Sequence, residues 1–392
     1  MTTAEKPALL TPLTLRGVEL PNRMVLSPMQ TYMAGTDGQA TDWHFQHLAR
    51  FATGGFGAVM TEALMVTPEG RNTYGDLGLW EDAQIAPLAR IARFMKSAGA
   101  VPAAQLHHAG PKASRQRPWD GRGPLVEADA AARGETAWRP VAAWNDSTVE
   151  GWHIPRTLEI DEIREIVKAF GAAAARAVEA GFEFIDIHSA HGYLLHSFLS
   201  PVSNYRQDAY GGDLHGRMRF SLEVAEAVRA NLPDEVPLVF RLSCVDWRPD
   251  LDDRTDGWTI EDTLTLSAAL RERGVDMIDC SSGGIRAASS GTDFLLKRQK
   301  LQRGHQVPYA ARIRQDLEMP TMAVGVIIDG PQAEEILQQG SADLIAIGRE
   351  ALVDPHWALN AAGAVLGAQD WDRWPSSYGW WLRMREDIGI AG

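Results

Sequence analysis

The amino-acid sequence predicts a (β/α)8 TIM barrel, and three observations carry that prediction. Eight short runs rich in Val, Ile, Leu and Met recur along the chain, most of them apolar nearly throughout, as strands buried on both faces should be. Helical patterns separate them, and strands joined by helical crossovers pair in parallel. The first run is not followed by the Gly-x-Gly-x-x-Gly turn expected of an open dinucleotide-binding sheet. A chain of 392 residues is long enough for such a barrel with insertions.

In chain order the strand-like runs are Arg23–Pro28, Gly57–Leu64, Val101–His108, Phe182–Ser189, Pro237–Cys244, Met277–Ser282, Pro320–Ile327 and Leu344–Ala351. The clearest helical patterns between them are Ile160–Ala180, Gly216–Ala230, Thr259–Arg273 and Gly330–Gln339. Ahead of the first strand, Leu13–Leu20 alternates around Gly17 and predicts a hairpin closing the bottom of the barrel. About 70 residues separate the third and fourth strands, far more than a βα loop needs. Within them Arg117–Trp152 is rich in Trp, Pro, Gly and Asp, and a lid over the catalytic face is expected at about 111–158. The whole chain, 1–392, reads as one cofactor-binding domain, with a C-terminal tail from about 366 to 392; no internal repeat or low-complexity tract interrupts it.

Composition narrows the function. With 38 Lys and Arg against 51 Asp and Glu, the formal charge is −13, which argues against nucleic acid or an anionic membrane as partner. No apolar run approaches the roughly 18 residues needed to span a bilayer. Met1–Leu10 has neither a basic flank nor an apolar signal core, so a cytoplasmic location is expected. The two cysteines, Cys244 and Cys280, fall inside apolar strands and read as inert core residues.

The chemistry gathers at the carboxyl ends of the strands, where barrel enzymes place their sites. The densest stretch is His188-Ser189-Ala190-His191-Gly192-Tyr193. The first strand ends in Ser27, Pro28, Met29 and Gln30 with Tyr32 beyond; the second in Glu62 and Ala63; the third in Gln105, His107 and His108. Arg241 lies within the apolar fifth strand, where burial demands an anionic or polar partner. Gly325 and Gly348 follow the seventh and eighth strands, with Arg349 adjacent. Glycines there let backbone N–H groups approach a phosphate, and Arg349 can bind it bidentately. Together these groups suit a phosphorylated flavin lying across the barrel mouth. Two histidines three apart could instead hold a metal, yet no clear third and fourth ligand accompanies them, although Asp246 and His107 are candidates; no metal is expected.

Several motifs make the resemblance specific: Ser27-Pro28-Met29, Gln105-Leu106-x-His108-Ala109-Gly110 and His188-x-Ala190-His191-Gly192-Tyr193-Leu194. To these are added Phe198-Leu199-Ser200-Pro201, Ser203-Asn204-x-Arg206-x-Asp208-x-Tyr210-Gly211-Gly212, Arg241-Leu242-Ser243 and Ser281-Ser282-Gly283-Gly284. The chain resembles the Old Yellow Enzyme family of FMN-dependent ene-reductases, nearest its thermophilic-like branch, from about Leu10 to Asp354. The resemblance implies FMN as cofactor, with the ring held by Pro28, Met29, Gln30, Ala63, Gln105 and Arg241 and the phosphate by Gly325, Gly348 and Arg349. It implies NAD(P)H as reductant and a small electrophilic molecule as substrate. His188 and His191 would hold the substrate oxygen, Tyr193 would supply the proton, and Tyr32 would line the substrate site. It also implies a homodimer or homotetramer in which Arg383 or Arg385, on the tail that carries Trp371, Trp374, Trp380 and Trp381, reaches a neighbouring site.

Two departures stand out. Gln30 occupies a position that is Cys or Thr in the resembling branches, which bears on reducing strength and substrate choice. After Gly212 the chain reads Asp213-Leu214-His215-Gly216-Arg217 in place of Ser-x-Glu-Asn-Arg, so the salt-bridge and capping role of that Glu and Asn is expected to be lost. The reaction expected is hydride transfer to the β-carbon of an α,β-unsaturated carbonyl. Alternatives remain at this stage: a flavin dehydrogenase or desaturase, a heteroaromatic or nitro reductase, a metal-dependent barrel hydrolase, and a flavin-binding protein without turnover.

Overall fold

The computed structural model describes residues 6–132, 134–146, 152–247, 255–285 and 301–389. Twelve strands are found among them: β1 Leu13–Leu15, β2 Val18–Leu20, β3 Met24–Leu26, β4 Ala58–Met65, β5 Val101–His107, β6 Val141–Ala142, β7 Arg156–Thr157, β8 Phe184–Ser189, β9 Leu238–Ser243, β10 Met277–Ser281, β11 Thr321–Ala323 and β12 Leu344–Ile347. Eight of them, β3-β4-β5-β8-β9-β10-β11-β12, close into a parallel barrel, and they are the eight strands expected from the sequence. The four anticipated helices form over Ile160–Glu179, Leu214–Arg229, Ile260–Arg271 and Gly330–Gln338.

Several strands are shorter than their sequence patterns, for local reasons. The seventh barrel strand stops at Ala323 because Gly325 and Val326 turn left-handed, at φ +114° and +54°. For a β-branched residue that backbone is strained; the Val326 carbonyl is held by Gly304 N and Gln332 Nε2, each at 3.1 Å. The eighth stops at Ile347, and Gly348 opens a short helix, Arg349–Val353.

Side chains alternate between two cores. Val25, Ala58, Met60, Val101, Ala103, Phe184, Val239, Met277, Met322, Leu344 and Ala346 fill the barrel, while a larger cluster packs strands against helices. Leu15 and Leu20 of the β1–β2 hairpin join the interior cluster, so the hairpin plugs the end of the barrel away from the strand C-termini. Above the apolar layers, the same inward period continues with polar residues: Gln105 and His107 on β5, Asp186 and His188 on β8, Arg241 on β9, and Asp279 and Ser281 on β10. A register shift in β4 between Met60 and Ala63 brings Ala63 opposite Gln105. Such a bulge re-aims side chains at a barrel rim.

The expected loss of capping after Gly212 is not found. Asp213 precedes the Leu214–Arg229 helix and its Oδ1 accepts the Gly216 N–H at 2.9 Å, as a good N-cap aspartate does. Arg217 holds the carbonyls of Leu199 and Gly212, so this corner is tied by different residues rather than released.

The segment between β5 and β8 carries the short parallel pair β6–β7 and the helix Glu127–Ala131. Buried Arg206 anchors it, donating from Nη1 to the carbonyls of Ala143 and Leu158 at 3.3 and 2.6 Å. At its start, Lys112 donates to the carbonyls of His191 and Gly284, and Arg115 donates to the Tyr32 hydroxyl at 2.9 Å. This segment therefore lies against the rim that holds the strand-end residues.

Candidate active site

A cavity of about 190 Å³ opens at the carboxyl ends of the strands, lined by Pro28, Gln30, Ala63, Asn72, Gln105, His107, His188, His191, Tyr193 and Arg241. Eight of these were singled out in the sequence as site residues. Its floor is ionic. Arg241 Nη1 lies 3.2 Å from Ser27 Oγ and 3.4 Å from Asp279 Oδ2, while its Nε is buried without a partner. Gln105 Nε2 donates to Asp186 Oδ2 at 2.7 Å. Burial, with the neighbouring Asp279 charge, pushes the Asp186 carboxyl well above the usual carboxylate range.

The wall after β8 is held rigidly. His191 and Gly192 adopt left-handed backbones, at φ +59° and +72°. Ser243 Oγ accepts the His191 N–H at 2.9 Å, and His196 Nδ1 accepts the Gly192 N–H at 2.8 Å. His196 is fully buried and donates from Nε2 to Asp246 Oδ1 at 2.8 Å. Asp246 also accepts from Trp258 N and Ser200 Oγ. Gly192 is required here, since a Cβ would stand 2.2 Å from the Gly284 carbonyl oxygen.

On that turn the imidazoles and the phenol meet edge to face. Ring centroids are 5.0 Å apart for His188–His191, 5.0 Å for His188–Tyr193 and 4.4 Å for His107–Tyr193. Burial holds His107, His188 and His191 well below the usual histidine range, and nearby positive groups push the same way, so all three are neutral at pH 7. His188 Nδ1 accepts the Ala190 N–H at 3.2 Å, which places its proton on Nε2, 3.3 Å from His191 Nδ1. His191 Nε2 lies 2.6 Å from Ser281 Oγ. If the serine hydroxyl donates there, the His191 proton moves to Nδ1 and two N–H groups converge, an arrangement completed by an acceptor oxygen.

The opposite wall is less satisfied. Gln30 Oε1 accepts the Ala63 N–H at 2.7 Å, and its Nε2 is buried with no partner. Glu62 beside it accepts from Thr31, while its Oε1 is unpartnered, and burial raises its carboxyl to about 8. At the ends of β11 and β12, Gly325 is crowded and Gly348 is open. A Cβ on Gly325 would stand 2.9 Å from Gln306 Oε1, whereas one on Gly348 would meet only Met29 Sδ and Ser27 Cβ at ordinary contact. Exposed Arg349 makes no hydrogen bond or ion pair with the described residues. Tyr32 and Arg383 do not line the cavity: the Tyr32 hydroxyl is taken by Arg115, and Arg383 pairs with Asp372 on the C-terminal segment.

The sequence profile of the NADH:flavin oxidoreductase / NADH oxidase family matches residues 8–364. The chain belongs to that family. It is 40% identical over 356 residues to the NADPH dehydrogenase of Bacillus subtilis, covering 90% of this chain and 94% of that one. It is also 40% identical over 345 residues to an NADH:flavin oxidoreductase of Gibberella zeae, covering 86% and 81%. Among solved structures, morphinone reductase in complex with tetrahydroNAD superposes with a TM-score of 0.69 at 25% identity, covering 93% of this chain and 92% of that one. The family's cofactor is FMN and its reductant NAD(P)H. The residues present fit such a group: the buried, unpartnered Gln30 Nε2 and Arg241 Nε could meet the polar edge of a flavin ring, and the unpaired Arg349 could meet its phosphate.

Asn72 and His107 are cavity residues to which the sequence reading assigned no role in the site; His107 was noted there only as a strand-end residue and a metal-ligand candidate. The period of β5 places His107 on the face of Gln105, a signal that could have found it. Asn72 lies in the loop beyond β4, and no local pattern marks it. Among the described residues no group of three or more His, Cys, Asp or Glu could hold a metal ion, and no helix is long and apolar enough to cross a membrane.

Proposed function

We propose that this oxidoreductase reduces activated alkenes, α,β-unsaturated carbonyl compounds, with NAD(P)H. One hydride and one proton are added across the C=C bond, giving the saturated carbonyl compound and NAD(P)+. The observation that carries the reading is the meeting of two neutral imidazoles and a phenol over a floor of Gln105 and Arg241 in one cavity. Bound FMN supplies the hydride chemistry, between NAD(P)H and the substrate's β-carbon. Pro28, Met29, Gln30, Ala63, Gln105 and Arg241 hold its ring, and Gly325, Gly348 and Arg349 its phosphate.

His188 and His191 donate to the substrate carbonyl oxygen. Charge grows on that oxygen as hydride reaches the β-carbon, so donors fixed in advance favour the transition state over the ground state. The buried His196–Asp246 pair and Ser243 hold the turn that sets them. Tyr193 gives its hydroxyl proton to the α-carbon as general acid and recovers one from solvent. The described residues of the segment 111–158 cover the mouth as a lid, a role supported by the hold of Lys112 on the His191 carbonyl and of Arg115 on Tyr32.

The visible spectrum tests this directly. Anaerobic NADPH or NADH should bleach the purified protein, and cyclohex-2-enone should restore its colour and yield cyclohexanone. Bleaching that the enone does not reverse would overturn the proposal.

A further inference from the structure

Ser281 closes β10 and is 2% exposed, and its hydroxyl oxygen meets two nitrogens from distant parts of the chain. His191 Nε2 lies 2.6 Å away and Gln306 Nε2 lies 3.4 Å away. Gln306 is itself buried, stands just before the helix Val307–Leu317, and gives the same nitrogen to Ser282 Oγ at 3.1 Å. An amide nitrogen only donates, so Gln306 occupies a lone pair of the Ser281 oxygen. The Ser281 hydrogen then needs an acceptor, and among the described residues His191 Nε2 is the one within bonding distance. Leaving a buried hydroxyl hydrogen unbonded is costly, which favours donation from the serine to the histidine.

The consequence falls on the other side of the ring. Burial keeps His191 neutral, with a single ring proton, so accepting at Nε2 places that proton on Nδ1. Nδ1 faces His188 Nε2 at 3.3 Å, and His188 carries its own proton there because its Nδ1 accepts from Ala190. Two N–H groups then converge, and an oxygen between them satisfies both. In the opposite arrangement His188 donates to His191 and His191 to Ser281, so both imidazoles spend their hydrogens on the protein. The cavity is polar and roomy enough for a water, so an acceptor oxygen is at hand before substrate arrives. We propose that Ser281, oriented by Gln306, is a positioning residue that fixes the His191 tautomer, so that His191 offers Nδ1–H beside the Nε2–H of His188 to the substrate's carbonyl oxygen. This deepens the ene-reductase reading above and rests on it. A hydroxyl and an amide suit the task because they select the place of a hydrogen in advance and add no charge to the buried site.

Nitrogen NMR of the flavin-loaded, oxidised enzyme with isotope-labelled imidazoles reads the tautomer directly, because protonated and bare ring nitrogens resonate far apart. The His191 signals are those missing from His191→Asn. Cyclopent-2-enone serves as the ligand, since oxidised flavin has no hydride to give it. In the wild-type enzyme His191 should carry its proton on Nδ1, with and without the enone; in Ser281→Ala without the enone the proton should sit on Nε2. Reoxidation of the NADPH-reduced enzyme by the enone should slow by roughly 10-fold or more in that variant, as for a misdirected oxyanion donor. Ser281→Thr, which keeps the hydroxyl, should restore both tautomer and rate. Should Ser281→Ala purify without flavin, Gln306→Leu is read in its place: it frees the serine lone pair, so the Nε2 form should gain. A His191 proton on Nε2 in the wild-type enzyme, or one that stays on Nδ1 in the variant, overturns the tautomer assignment alone. A wild-type enzyme that NADPH reduces but the enone does not reoxidise overturns the ene-reductase reading, and the assignment with it.

Discussion

In the turn after β8 most polar groups are committed to a partner; on the cavity floor and on the wall after β3, several are not. His191 N, Gly192 N, His196 and Asp246 are all satisfied by fixed neighbours. Across the cavity Gln30 Nε2 is buried and open, and so is Arg241 Nε on the floor. A satisfied network is rigid, and rigidity is what a transition-state donor requires. Open valences are tolerated where a ligand completes them. On the proposed reading, the contrast separates a fixed turn that holds the substrate oxygen from a floor and wall that a bound ligand completes.

The largest effect should come from the committed wall. Replacing both His188 and His191 with Ala should leave flavin content and NAD(P)H reduction intact and slow reoxidation by cyclohexenone by roughly 10²-fold or more. Stopped-flow measurement of the two half-reactions separates these outcomes; equal turnover in the variant would remove the histidines from the site.

Next is the support beneath that wall. Asp246→Asn places an amide where every neighbour donates: His196 Nε2, Trp258 N and Ser200 Oγ. At least one buried donor then loses its acceptor, a loss of about 2 kcal/mol in unfolding free energy. Chemical denaturation reads it directly. A change within experimental error would show that the pair does not hold the turn.

Glu62, buried behind the β4 side between Thr31 and His44, should show itself in pH dependence. Glu62 is held near 8 in the fold against an ordinary carboxyl value of 4.5 when unfolded. Between these values the folded protein binds the extra proton, so this group makes stability fall as pH rises. His44 and His47, lowered to about 4 by burial, act in the opposite sense but only below 6.5. From pH 6.5 to 8 the Glu62 contribution is unopposed by them. Glu62→Gln should flatten the decline there, by up to about 1.4 kcal/mol per pH unit. An unaltered slope would show that the carboxyl is ionised in the folded state.

The smallest effect is expected at Gln30. Gln30→Cys withdraws the amide that caps Ala63 N–H and empties space beside the ring site. The flavin midpoint potential, read by dye equilibration, should shift, and bulky enones should gain on small ones in kcat/KM. If both stay in place, Gln30 only fills volume.

Much of this was legible along the chain. Strand and helix periods are local properties, so eight strands, the plugging hairpin and four helices could be placed from runs such as Phe182–Ser189 and Ile160–Ala180. The identity of a strand-end residue, such as His188 or Arg241, follows from where its strand stops. Boundaries were less certain where a single backbone conformation decides them, as at Gly325 and Gly348.

By itself, the sequence determined the barrel, the flavin-family motifs and which residue types stand at its mouth, because each depends on neighbours within a few positions. Only the tertiary structure decided which of those groups are already satisfied. Arg241 finds Ser27 across 214 positions, His191 finds Ser281 across 90, and Gln30 finds Ala63 across 33. Gln30 Nε2 and Arg241 Nε, by contrast, find no partner. Satisfaction of a buried polar atom is a property of distant strands brought within hydrogen-bonding distance, and no local pattern encodes that distance.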